Sequence, residues 1–196
     1  MNRILPIVEG PGDLKAVPVL LRNLLIHHGL HETQILPPHQ RGELPKLSAR
    51  FDDYFRMALK EKAGILLIID FDCEYCDCPF LEAEKLYQRA RSIRENWPFK
   101  IAFLVKEFES LFLAEAKSAS KVLALRQGIE FPENPEAVRD AKGWLSKAQP
   151  KGSAYKPTHH QEKITAQLDF DILREKSRIF RHLEKPLLYL AEAHSP

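Results

Sequence analysis

Five aliphatic residues in a row, Ile65-Leu66-Leu67-Ile68-Ile69, constrain this 196-residue chain more than any other stretch. A half-exposed strand alternates apolar and polar side chains, whereas a short run without alternation marks a strand buried on both faces. Something must then cover both faces, and the flanking segments supply it. Leu14, Val17, Leu20, Leu21, Leu24 and Leu25 recur at helical spacing, with Asp13 as the expected N-cap and Gly29 as the stop. Residues 44–60 carry Leu47, Phe51, Tyr54, Phe55 and Ala58 on one side, and residues 79–96 open with Pro79 at an N1-like position. Residues 4–8, 33–36 and 101–105 read as further strands. Strands separated by helices predict a four-stranded, mostly parallel sheet with right-handed crossovers.

Beyond residue 105 the texture changes. Helices are expected at 108–125, 137–145, 161–167 and 170–191, with a Pro-containing loop at 128–135. The reading is therefore an α/β core over residues 1–106 and a mainly helical extension over 107–196, packed on the core as one structural unit.

Bulk properties narrow the function only slightly. Twenty-nine basic against 27 acidic residues give a net charge of +2, so any polyanion would have to be met by a local patch. Apolar runs fall far short of the roughly 20 residues of a membrane span. No charged-then-apolar leader precedes the first strand, and the cytoplasm is the expected compartment. Cys73, Cys76 and Cys78 offer three thiols without a recognisable fourth zinc ligand.

The chemistry concentrates where strands end. Residues 4–8 run into Glu9-Gly10, residues 65–69 into Asp70-Phe71-Asp72, and residues 101–105 into Lys106-Glu107-Phe108-Glu109. In open α/β sheets ligands bind beyond the carboxyl ends of the strands. Hard cations such as Mg²⁺ are held there by one or two carboxylates plus water and substrate phosphate. Such ions serve phosphodiester hydrolysis by activating water and neutralising phosphoryl oxygens. Strand-end acids also cap helices or solvate loops, and that plainer role competes with this one.

These residues carry a resemblance. Strand-Glu-Gly followed by strand-Asp-x-Asp is similar to the Toprim domain of topoisomerases, primases and the nuclease half of overcoming-lysogenization-defect (OLD) proteins. The fuller string resembles a Toprim-related bacterial family, the domain of unknown function 4276 family. Its pieces here are Val8-Glu9-Gly10, Asp70-Phe71-Asp72, Asp77-Cys78-Pro79, Lys106-Glu107-Phe108-Glu109 with Phe112-Leu113-Ala114, Asp140-Ala141-Lys142-Gly143-Trp144-Leu145, Tyr155-Lys156-Pro157, Gln161 and Ser177-x-x-Phe180. The resemblance implies a Toprim-like core and a Mg²⁺ or Mn²⁺ site at Glu9, Asp70 and Asp72, with Glu9 as ligand or proton carrier. Glu107 and Glu109 are the nearest matches for a further acid, and Lys106 for a catalytic lysine. The link Cys73-Glu74-Tyr75-Cys76 leaves open which of Asp72, Glu74 and Asp77 faces the metal. The resemblance further implies a nuclease, an ATPase partner and a place in bacterial anti-phage defence. A non-catalytic scaffold or sensor subunit of an ATPase complex is the alternative.

A nucleic-acid substrate would need basic contacts. Lys142, Lys151, Lys156, His160 and Arg178 are the candidates, with Tyr155 available to stack on a base. Self-association is compatible with all of this.

Overall fold

The computed structural model describes residues 3–71 and 78–193. Strands β1 (Arg3–Val8), β2 (Gln34–Ile35), β3 (His39–Gln40), β4 (Gly64–Phe71) and β5 (Phe99–Val105) form one sheet in which every pairing is parallel. Its order is β2-β1-β4-β5, with β3 also paired to β1 beyond β2. The two-residue β3 lies between the strand expected at 33–36 and the helix expected at 44–60, and makes the sheet five-stranded rather than four-stranded. Its register is set by β1, as Ile7 and Val8 lie opposite His39 and Gln40. So short a ladder leaves no periodic trace in sequence.

Helix α1 (Asp13–His27) links β1 to β2, while α2 (Leu44–Ala49) and α3 (Phe51–Leu59) carry the chain back to β4 on the other side of β1. Helix α4 (Pro79–Ile93) then leads to the edge strand β5. The direction of winding thus reverses between β1 and β4, which opens a crevice at their carboxyl ends.

The unbroken apolar run now has its reason. Leu66 and Ile68 join one core with Ile4, Val8, Ala102 and Leu104, while Ile65, Leu67 and Ile69 join a second with Leu5, Ile7 and Phe99. Side chains alternate across the pleat, so a strand covered on both faces needs apolar residues at every position. The second core is closed by α2, α3 and α4 through Leu47, Phe55 and Leu86. The first is closed by α1 and by the C-terminal helices through Leu20, Phe112, Phe180 and Leu187.

Those C-terminal helices are α5 (Ser110–Ala114), α6 (Ala116–Val122), α7 (Ala141–Lys147), α8 (Pro157–Thr165), α9 (Phe170–Lys176) and α10 (Arg178–Glu192), with a 3-10 turn at Pro135–Ala137. Three helices expected as continuous are each divided. Residues 44–60 break at Arg50, 108–125 at Glu115 and 170–191 at Ser177, where the backbone leaves the helical region. Two of the breaks are caps. The Glu115 carboxylate accepts the Ser118 N–H, and the Ser177 hydroxyl accepts the Phe180 N–H. Asp13 likewise does not cap α1. Gly12 holds that position, and the Asp13 carboxylate accepts the Gly10 N–H at 2.8 Å instead. Among the described residues no helix is long and apolar enough to cross a membrane.

Candidate functional site

Register brings the first two acids together. Val8 pairs with Ile68, so Glu9 follows β1 next to Asp70, the penultimate residue of β4. Asp70 in turn lies opposite Leu104 on β5, two residues before Lys106. Lys106 adopts a left-handed backbone (φ 79°), uncommon for a residue with a side chain, and the chain turns there toward the crevice. Glu107 and Glu109 follow in the turn that leads into α5.

A cavity of about 220 Å³ opens at this crevice, lined by Glu9, Asp13, Asp70, Glu109, Lys142 and Gln161 among others. The Lys142 ammonium stands 3.2 Å from Glu107 Oε1, 3.6 Å from Glu109 Oε2 and 3.7 Å from Asp70 Oδ2. Each of the three carboxylates is anchored by its other oxygen. Asp70 Oδ1 accepts the Phe108 N–H at 3.0 Å, and Glu109 Oε1 accepts the Tyr155 hydroxyl at 2.9 Å. Glu107 Oε2 accepts the N–H groups of Ala141 (2.7 Å) and Lys142 (3.2 Å).

Local sequence explains how Lys142 arrives. Asp140 caps α7 by accepting the Gly143 N–H at 2.7 Å, and a Cβ at position 143 would collide with that carboxylate. Trp144 packs on Phe131, with ring centroids 4.9 Å apart. The first turn of α7 is therefore held rigidly under Glu107. On the opposite wall Asp13 receives Gln161 Nε2 at 2.7 Å, which ties the β1–α1 loop to α8.

Burial dominates the electrostatics. Glu109, fully buried, is pushed up to about 7 by desolvation, against the pull of Lys142 and Tyr155. Glu9 is likewise raised to about 7, by burial and then by the charge of Asp13. Asp70 lies well above the usual carboxylate range for the same first reason, with Lys142 opposing, and Asp13 is raised by its burial. Burial lowers Lys142, but Glu109, Asp70 and Glu107 outweigh it and hold the amine above its ordinary value.

The expected residues divide. Glu9, Asp70, Glu107, Glu109 and Lys142 come together, while Asp72, Cys73, Glu74, Cys76 and Asp77 lie outside the described residues. Lys106 stands apart, its Nζ donating to the Ala137 carbonyl at 3.0 Å. Tyr155 is only 6% exposed, with its ring beside Phe112 and its hydroxyl on Glu109, so it has no free face for a base. Lys151 is exposed on the turn after α7. Lys156 and His160 flank the start of α8, where the Lys156 N–H meets His160 Nδ1 at 3.0 Å, next to the wall residues Pro157, Thr158 and Gln161. Arg178 lines a separate groove with Ile101, Phe103 and His182. Asp13 was missed as a site residue. Its signal was present as an acid four residues after Glu9, at the start of α1.

Does the site suit a divalent ion? Three carboxylates flank one ammonium, those of Glu9 and Asp13 line the same cavity, every donor is a hard oxygen, and buried Glu109 Oε2 makes no hydrogen bond. The donor chemistry fits Mg²⁺ or Mn²⁺. Among the described residues no three His, Cys, Asp or Glu side chains stand ready to hold an ion as they are, and the Lys142 ammonium lies between the acids.

No curated protein matches the chain. Two solved structures of the C-terminal region of the Xanthomonas campestris pv. campestris OLD protein are similar to it. One is 11% identical over 96% of this chain and 98% of that one, with a TM-score of 0.45. The other is 13% identical over 96% and 95%, with a TM-score of 0.43. Residues 8–188, which take in the whole cavity from Glu9 to Gln161, match the family described as Domain of unknown function (DUF4276), and the chain belongs to that family.

Proposed function

We propose that this protein is a Toprim-like, Mg²⁺- or Mn²⁺-dependent phosphodiesterase of the nuclease type, cytoplasmic and active in bacterial anti-phage defence beside an ATPase partner. The observation that carries the reading is the convergence of Glu9, Asp13, Asp70 and Glu109 on one cavity at the switch point of a parallel sheet, with Glu107 joined to it through Lys142. The resemblance of the motif string to Toprim nucleases supplies the reaction class.

Glu9, Asp70 and Asp72 would hold the ion, with Asp13, Glu107 and Glu109 completing the acidic wall. Bound there, a divalent ion activates water and neutralises charge on the phosphoryl oxygens. Glu9, half-buried at the cavity wall, would either serve as a ligand of the ion or take up the proton of the attacking water. The role of catalytic lysine expected of Lys106 passes to Lys142, whose side chain is 40% exposed in the cavity and would face the substrate phosphate. Lys151, Lys156 and His160, near the α8 wall, would contact the backbone of a nucleic acid.

The rival is a non-catalytic scaffold or sensor within an ATPase complex. It is favoured by the ion pairing of Lys142, which already balances part of the acidic charge. Lys142 pairs with only three of the acids, so Glu9 and Asp13 remain available to a further cation and the catalytic reading stands ahead.

The test is Asp70→Ala against wild type on DNA and RNA substrates with Mg²⁺ or Mn²⁺, with and without the ATPase. Wild-type cleavage should fall by at least about a hundredfold while the melting transition persists. Cleavage that survives the substitution sinks the assignment. A wild type that binds the ATPase but never cleaves makes it the scaffold.

A further inference from the structure

Three carboxylates share one design in this cavity. Asp70, Glu107 and Glu109 each have one oxygen fixed by a group other than lysine, respectively the Phe108 N–H, the α7 backbone and the Tyr155 hydroxyl. Each turns its second oxygen to the Lys142 ammonium, at 3.7, 3.2 and 3.6 Å. The acids are therefore held in place whether or not the ammonium stays. Lys142 itself is pinned at its backbone, where its N–H reaches Glu107 Oε2, while its long arm remains partly open to solvent. A lysine arm is a flexible four-carbon stem carrying a compact charge, so it can leave without moving α7.

Loss of that charge cannot go uncompensated. Glu109 Oε2 is buried and has no hydrogen-bond partner, and like charges crowded in a low-dielectric site repel strongly. Conversely, an incoming divalent ion meets a positive charge already seated among its ligands. Where the acids are ionised, cation must replace cation.

We infer that Lys142 is a displaceable internal counter-ion, whose ammonium leaves Asp70 and Glu109 when a divalent cation enters and turns to the mouth of the cavity, toward the substrate phosphate. This rests on the reading of the cavity as a metal site. It assigns the lysine a positioning role in metal loading, before any contact with substrate.

The experiment is Mn²⁺ titration calorimetry on the full chain, comparing wild type with Lys142→Met and Lys142→Arg. Removing the competing charge should tighten Mn²⁺ binding at least tenfold in Lys142→Met, while Lys142→Arg stays within a fewfold of wild type. Lys142→Met binding that is unchanged or weaker overturns the displacement and leaves the metal site intact. No binding by any of the three proteins overturns the metal site itself, and the displacement with it. Acylation of wild-type lysines, read by mass spectrometry with Lys15 as internal reference, keeps the question open to test should Lys142→Met fail to fold. Mn²⁺ should raise Lys142 labelling severalfold, and unchanged or reduced labelling rejects the displacement.

Discussion

Glu109 is the residue on which the site's energetics turn. Its carboxyl is pushed up to about 7 from an ordinary 4.5, chiefly by burial. A folded-state value above the unfolded one means that folding favours the protonated form. Its contribution to stability is fully present below about pH 4.5 and is lost as pH rises through about 7. Glu9, raised to the same level, adds to the same slope. Urea denaturation in the presence of a chelator should therefore find the protein more stable at pH 5.5 than at pH 8. Glu109→Gln should reduce that difference by on the order of 2 kcal/mol. An unchanged difference would mean that Glu109 titrates normally. Added Mn²⁺ should abolish much of the slope in wild type, since a bound cation favours the ionised acids.

At the scale of elements, the crevice depends on how the β1–α1 loop meets α8. Gly12 approaches α8 so closely that a Cβ would run into Gln161 and into Pro157 Cβ, and Pro157 cannot rotate away. At Gly10 a Cβ would meet only Asp13, at an ordinary 3.4 Å. Gly12→Ala should thus cost about 1–3 kcal/mol by overpacking, and Gly10→Ala clearly less, both read from thermal or urea melts. Equal costs would contradict this packing. The same contact explains a cluster of motifs that lie far apart in sequence. Gln161 and Tyr155-Lys156-Pro157 belong with Glu9-Gly10 because α8 forms one wall of the cavity and donates to Asp13.

For the whole molecule, the question is whether residues 1–106 form a core that the remainder merely decorates. One face of the sheet is closed by α2, α3 and α4, all within that segment. The other face shares its core with Phe112, Leu145, Phe180, Leu183 and Leu187, all from beyond it. Only α1 would remain on that face in a fragment ending at residue 106. We expect such a fragment to show no cooperative melting transition by circular dichroism, whereas the full chain melts in a single step. A fragment that melts cooperatively would make the C-terminal helices a separable layer. Cavity and core share this dependence, because Glu109, Lys142 and Gln161 all come from the later half.

How much could be read before folding follows from the range of each interaction. The central strand, the β1–α1 unit and the α4 crossover were legible because pleat and helix periods are local properties written in consecutive side chains. Glu9 and Asp70 were legible as strand-end acids, and the motif string pointed to the family. The divisions at Glu115 and Ser177 were not, because a cap competes with helix continuation within about 1 kcal/mol and packing decides the outcome; the break at Arg50, which has no side-chain cap, left no local signal either. Nor was the choice of lysine. Lys106 lies nearest the acids in sequence, yet its left-handed turn takes its amine to Ala137, and Lys142 comes in from α7. Tyr155 changed from a stacking surface to a buried donor for the same reason. Sequence alone determined the main strands and helices of the α/β core and which acids end the strands. Tertiary structure decided which charges meet, because charges separated by tens of residues interact only once the two cores have closed and water has been removed from between them.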